Sequence, residues 1–253
     1  MADYISKLLP RFRYGVIHPR AHEEVQRGPC YQLYRLLPLD FMEVATGLGL
    51  ENYTAEGVDK AIQNYWPCVE RLAAEKVDHI VLSGAPIAAM LTRTRVRQLI
   101  RETKEKYGIP VDSPLEALIA ALDHLGIKKI AVGSRWADKV NNAIIQYLKE
   151  GGIEVVGITS RNQWASEAFA MSLEEGLKTA LEVGREAARS FPEAQGISVP
   201  GGAAMALHVI PAIEEEFGKP TFTNMSAEIW YELVRPGIIS PIKGWGKLLA
   251  GEK

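Results

Sequence analysis

Cysteine is scarce in this chain, at two of 253 residues, and long apolar runs are absent. Cys30 and Cys68 supply neither a disulfide framework nor a metal-ligand spacing, and neither has an adjacent histidine to form a nucleophile–base pair. Cys68 falls in an amphipathic helical pattern and reads as a buried structural thiol, whereas Cys30 follows the loop-like Gly28-Pro29. No stretch approaches the roughly 20 apolar residues of a spanning helix, which argues against a membrane partner. The segment Met1 to Arg13 carries Asp3, Lys7, Arg11 and Arg13 around a short apolar patch and lacks the apolar core of a secretion signal, so a cytoplasmic location is expected. Charge is nearly balanced, with 29 Lys and Arg against 31 Asp and Glu. Without a basic stripe, nucleic acid is not expected as a partner.

What is present is alternation. Short apolar runs at Tyr14–His18, Phe41–Ala45, His79–Leu82 and Ile109–Val111 predict four strands, and a second set at Lys129–Val132, Glu154–Ile158, Gly196–Val199 and Thr221–Asn224 predicts four more. Continuous hydrophobicity in Ile80-Val81-Leu82 and Ile130-Ala131-Val132 suits strands buried on both faces of a parallel sheet. Between them lie helices with start signals. Ser113-Pro114-Leu115-Glu116 and Ser172-Leu173-Glu174-Glu175 are capping boxes, the second opening an apolar stripe through Leu173, Leu177, Ala180, Leu181 and Ala188. Trp136, Val140, Ala143, Ile144, Tyr147 and Leu148 form a third stripe, ended by Gly151-Gly152. The helical stretch from about Val58 to Glu75 is expected to kink at Pro67.

The two sets repeat each other. A helix leads into His79-Ile80-Val81-Leu82-Ser83-Gly84-Ala85-Pro86 in the first and into Gly196-Ile197-Ser198-Val199-Pro200-Gly201-Gly202 in the second, with small residues following both loops. The expected architecture is α/β: two pseudo-symmetric parallel-sheet halves, flavodoxin-like and duplicated, with the active site between them. Residues 1–112 form the N-terminal half and 113–225 the C-terminal half. The chain from 226 to 253 is expected to pack back on the first.

Ligands bind beyond the carboxyl ends of strands in such sheets. The loops leaving His18, Ser83, Gly133 and Pro200 are therefore the candidate cradle, and their natural ligand is a small carboxylate. Tight turns are the plain alternative for each glycine taken alone.

The paired loops, the strand exit Gly15-Val16-Ile17-His18-Pro19 and the segment Lys129 to Asn142 resemble the aspartate/glutamate racemase superfamily, nearest to its arylmalonate decarboxylase and maleate cis-trans isomerase branch. The resemblance implies one or two cysteines at mirror-image positions on these loops, acting as proton donor, acceptor or nucleophile: maleate isomerases and racemases have both, and arylmalonate decarboxylases keep only the second, with Gly at the first. Here those positions read Gly84 and Pro200, so both thiols are missing. The hydroxyl residues expected after the first are Ala85 and Pro86, and the tyrosine expected on the Gly133 loop is Trp136. Pro200 also removes an N–H donor.

Other groups on the same loops are candidates for the chemistry. The resemblance places the substrate carboxylate by the first-strand loop, where Arg20 can grip it bidentately and His18 or His22 can exchange protons near neutral pH. Surface ion pairing with Glu23 or Glu24 is the alternative for Arg20, and a solvated loop for the histidines. Ser83 can donate a hydrogen bond if its loop turns it inward. Gly84, Ala85, Pro86, Ser134, Trp136, Pro200, Gly201 and Gly202 complete the expected substrate contacts. Trp136 is equally consistent with a core tryptophan. Arg135 adds a possible polar contact, Asn224 and Ser226 are rim candidates, and His208 reads as structural.

No cofactor and no metal are expected, since His18 and His22 lack a third ligand at a recognisable spacing. The leading reading is a cofactor-independent, decarboxylase-like lyase on a small mono- or dicarboxylic acid, with proton transfer from a group other than cysteine. An isomerase, racemase or hydratase is the second reading and a non-catalytic carboxylate-binding protein the third. The resemblance is compatible with a monomer or a homo-oligomer.

Overall fold

The computed structural model describes residues 8–21, 27–201 and 204–252. Two four-stranded sheets carry the chain. The first holds β1 (Phe12–His18), β2 (Phe41–Gly47), β3 (His79–Leu82) and β4 (Val111–Asp112); the second holds β5 (Lys129–Gly133), β6 (Glu154–Thr159), β7 (Gly196–Ser198) and β8 (Thr221–Phe222). Strand order is β2-β1-β3-β4 in one and β6-β5-β7-β8 in the other, and every pairing is parallel. The duplicated α/β architecture read from the sequence is the one observed.

Hydrophobic burial explains the central strands. All four residues of β3 and the last five of β1 are buried, because helices cover both faces. Pro110 precedes β4 and its carbonyl accepts from Ile80 N–H at 2.9 Å; lacking an N–H of its own, it leaves the ladder to Val111 and Asp112 rather than to Ile109–Val111.

The helix Leu173–Ser190 opens on the expected capping box, with Glu175 N–H donating to Ser172 Oγ at 3.2 Å and Ser172 N–H to Glu175 Oε2 at 2.8 Å. Its buried face differs from the expected one. Leu173 and Leu177 are exposed, and the helix buries Gly176, Ala180, Val183, Gly184, Ala187 and Ala188 instead. The reason is close approach: a Cβ on Gly133 of β5 would lie 2.7 Å from the Val183 carbonyl oxygen, so small residues set the contact. At Ser113 the capping bond does not form. Its N–H donates to Asp112 Oδ1 at 2.9 Å, while its own hydroxyl has no hydrogen-bond partner among the described residues.

The expected kink before Pro67 appears as a 3₁₀ turn at Ile62–Asn64, between the helices Ala55–Ala61 and Tyr65–Ala74. Trp136 lies outside the helix whose stripe it was expected to begin. That helix runs Asp138–Glu150, and Trp136 forms a one-residue bridge with Gln163.

After β8 the chain forms the helix Asn224–Ile229 and a π-helical turn, Trp230–Val234. This segment reaches the first sheet. Glu232 accepts a 2.5 Å hydrogen bond from Tyr14 Oη and lies 3.4 Å from His79 Nε2. Among the described residues, no helix is long and apolar enough to cross a membrane.

Candidate active site

Beyond the carboxyl ends of β1 and β3, and facing the loop after β7, lies a cavity of about 80 Å³. His18, Pro19 and Arg20 form one wall, Ser83, Gly84 and Pro86 a second, and Gly201 faces them from the other half. Loop geometry holds this arrangement. The Pro19 carbonyl accepts from Leu50 N–H at 2.7 Å, and Ser83 N–H donates to the Ile17 carbonyl at 3.0 Å. Gly84 has φ +101°, and a Cβ there would lie 2.7 Å from Pro19 Cγ. Only glycine fits both the conformation and the contact.

Three aromatic rings close the far side. Tyr53 meets Trp136 edge-on at 5.3 Å between centroids, and Phe169 stands 6.2 and 6.3 Å from the two. The Arg20 guanidinium sits 5.0 Å over the Phe169 ring. It is thus a cation on an apolar wall, where its attraction for an anion is screened less than at an open surface. Burial pushes the Tyr53 phenol well above its ordinary range, with Arg20 opposing the shift.

His18 is buried at the end of β1, with Nε2 3.5 Å from Glu43 Oε1 and without a hydrogen-bond partner among the described residues. Burial and then the nearby Glu43 carboxylate push the Cys30 thiol pKa up to about 11. A thiol–carboxylate–imidazole group therefore adjoins the cavity, although Pro29 rather than Cys30 lines it. Cys68 is buried, its Sγ donating to the Gly47 carbonyl at 3.4 Å.

At the inner end stands Glu228, 5% exposed, its Oε1 without a partner among the described residues. Burial, then Glu232 and Asp112, raise its carboxyl pKa well above the usual range. Asn224 and Met225 precede it on the same wall.

The sequence candidates therefore divide. His18, Arg20, Ser83, Gly84, Pro86, Trp136 and Gly201 line one cavity, and so does Asn224. Ala85 is fully buried in the core beneath it. Ser134 is fully buried too and turned inward, donating to Asn141 Oδ1 at 2.6 Å and accepting from Trp136 N–H at 3.1 Å, so it braces the loop. Pro200 is buried away from the cavity beside Gly133 and Arg135. Arg135 binds Gln163 Oε1 and the Ala168 carbonyl rather than facing the cavity. Ser226 Oγ accepts from Thr223 N–H at 2.9 Å in the capping box of its own helix, and His208 stacks on Tyr31 and meets Trp245 edge-on. His22 and Gly202 lie outside the described residues, as do Glu23 and Glu24.

Tyr53, Phe169, Glu43 and Glu228 were not read from the sequence. Only Glu228 left a signal: it and Glu232 sit four apart in a stretch otherwise rich in Ala227, Ile229, Trp230 and Leu233, so two carboxyls share a buried helical face. Among the described residues, no three His, Cys, Asp or Glu side chains are grouped to hold a metal ion.

A family model described as arylmalonate decarboxylase matches residues 14–249. The arylmalonate decarboxylase of Bordetella bronchiseptica is 26% identical over 196 residues, covering 78% of this chain and 80% of that protein. Among solved structures, a liganded double mutant of arylmalonate decarboxylase superposes with a TM-score of 0.82 at 24% identity, covering 94% of this chain and 98% of that one. A Nocardia farcinica maleate cis-trans isomerase mutant with a covalently bound succinylcysteine intermediate gives 0.80 at 18% identity, covering 96% and 99%. At these identities the structures establish the shared fold.

Proposed function

The chain belongs to the arylmalonate decarboxylase family, and from that premise we propose that it is a cofactor-independent lyase that decarboxylates a small dicarboxylic acid bearing an apolar or aromatic substituent. The observation that carries this reading is Arg20, a cation set among Tyr53, Trp136 and Phe169 in a cavity between two glycine-bearing loops. Arg20 holds the carboxylate that is retained, the three rings take the substituent, and the second carboxylate leaves as carbon dioxide. The electron pair released by the breaking carbon–carbon bond passes into the retained carboxylate as an enediolate. Arg20 and the loop amides at Gly84 and Gly201 stabilise that charge, and the α-carbon then takes up one proton. Both cysteines are free thiols, which suits a reducing cytoplasm as the place of action.

The test is carbon dioxide release from phenylmalonate and from small aliphatic diacids, run in deuterated water. Release with one solvent deuteron incorporated supports the lyase, and deuterium incorporation without release indicates the isomerase or racemase reading. Binding without any product indicates a carboxylate-binding protein. Arg20→Ala is expected to weaken phenylacetate binding at least tenfold; unchanged affinity refutes its role.

A further inference from the structure

The family resemblance leaves the proton unassigned, because Gly84 and Pro200 stand where the thiols are expected. Glu228 is a carboxyl with no counter-charge: no Lys, Arg or His lies within ion-pair distance among the described residues. The titratable groups around it are Glu232 on its own segment, Asp112 at the end of β4, Tyr14 and His18 on β1, Glu43 on β2 and His79 on β3. Its nearest charged neighbours are carboxyls, so a proton on Glu228 is retained rather than lost to them.

A second, smaller void of about 30 Å³ adjoins the main cavity and shares His18, Pro29, Ser83, Met225 and Glu228 with it. That is room for one water molecule. Two buried polar atoms without a hydrogen-bond partner among the described residues, Glu228 Oε1 and His18 Nε2, belong to side chains on its wall. An unsatisfied buried oxygen is costly, and such groups in a native fold call for a functional account. Glu228 on the helix and Glu232 in the π turn that directly follows it are both buried.

We infer that Glu228 is the proton donor of this site, taking the part that a loop thiol is expected to play. The inference rests on the decarboxylase reading above. As the substrate carbon–carbon bond breaks and carbon dioxide leaves, the electron pair of the enediolate returns to form a carbon–hydrogen bond with the Glu228 proton. Glu228 is left as carboxylate. One proton from solvent, passed through the small void past His18, restores the acid, so each turnover takes up one proton and releases one carbon dioxide.

The test compares wild type with Glu228→Gln and Glu228→Asp on methyl(phenyl)malonate, whose monoacid product is chiral. Glutamine is the neutral isostere of the protonated acid, so E228Q is expected to fold, to melt at or above the wild-type temperature and to bind phenylacetate within twofold of wild type. Its kcat is expected to fall at least a hundredfold, the scale of a lost general acid, and its residual product to be racemic because water protonates either face. Glu228→Asp is expected to retain part of kcat with a shifted basic limb of the pH profile, a change that a purely structural role does not produce. A kcat for E228Q within threefold of wild type, or a residual product of unchanged enantiomeric purity, overturns the assignment while leaving the lyase reading intact. Wild type that decarboxylates no diacid overturns the lyase reading, and the assignment falls with it.

Discussion

Asp112 offers a direct test of the buried acidic cluster through stability alone. It ends β4 with 7% exposure, and its pKa is pushed from 3.8 to about 8 by burial and by the charge of Glu232. The folded chain therefore holds a proton that the unfolded chain has released over roughly pH 4 to 8. A raised pKa contributes stability that is complete below the unfolded value and is lost as pH rises through the folded value. Each unit is worth about 1.4 kcal/mol, so the pH-dependent loss approaches ~5 kcal/mol by about pH 8. Asp112 shares this electrostatic strain with Glu232 and Glu228, so a single substitution recovers only part, about 2 kcal/mol. Asp112→Asn retains the oxygen that accepts the Ser113 N–H and cannot ionise. Urea melts across about pH 4.5 to 9 are expected to coincide with wild type at the acid end. At the alkaline end D112N should be more stable by about 2 kcal/mol, a shift of roughly 4–8 °C in Tm for a chain of this size. A difference that stays flat with pH, or a variant less stable near pH 9, refutes the reasoning.

Two other perturbations probe the walls of the site. Gly84→Ala forces a Cβ into a φ of +101° and to within 2.7 Å of Pro19 Cγ, so thermal unfolding should show a loss of about 1–3 kcal/mol; a loss below about 0.5 kcal/mol would mean that the loop relaxes freely. Cys30, with its thiol at about 11, is expected to react with iodoacetamide near pH 8 on the order of a hundredfold more slowly than a free cysteine, and Glu43→Gln should accelerate it. Equal rates in wild type and variant, followed by mass spectrometry at Cys30, would rule out the thiol–carboxylate contact.

The eight strands were legible because each is a short apolar run, and in the central ones Val16-Ile17 or Val81-Leu82, buried on both faces, have no other place to go. The loops at their carboxyl ends followed from topology, and so did His18, Arg20, Ser83 and Gly84 on one cavity. Contacts between distant segments were not legible. Leu173 and Leu177 satisfy helical periodicity yet face outward, since the spacing of Gly133 from Val183 depends on a strand some fifty residues away. Ser134 has the chemistry of a ligand contact, but Asn141 and the Trp136 amide satisfy it internally. Phe169 belongs to a short helix, Ala165–Ala170, with no distinguishing local pattern, and only its placement under Arg20 gives it a role.

The bond from Tyr14 to Glu232 joins residues 218 apart. The first sheet begins at Phe12, yet the carboxyl that its tyrosine and His79 need arrives after both sheets have been spelled out. At about 5–20 residues per second on a ribosome, that separation is a wait of roughly 10–40 s. During that interval Tyr14 and His79 have no Glu232 carboxyl, so the emerging chain presents an unanswered phenol to whatever is nearby. The same segment bears Glu228, so completion of this core coincides with delivery of the acid to the cavity. A truncated or stalled chain then lacks both the Glu232 carboxyl and the Glu228 acid.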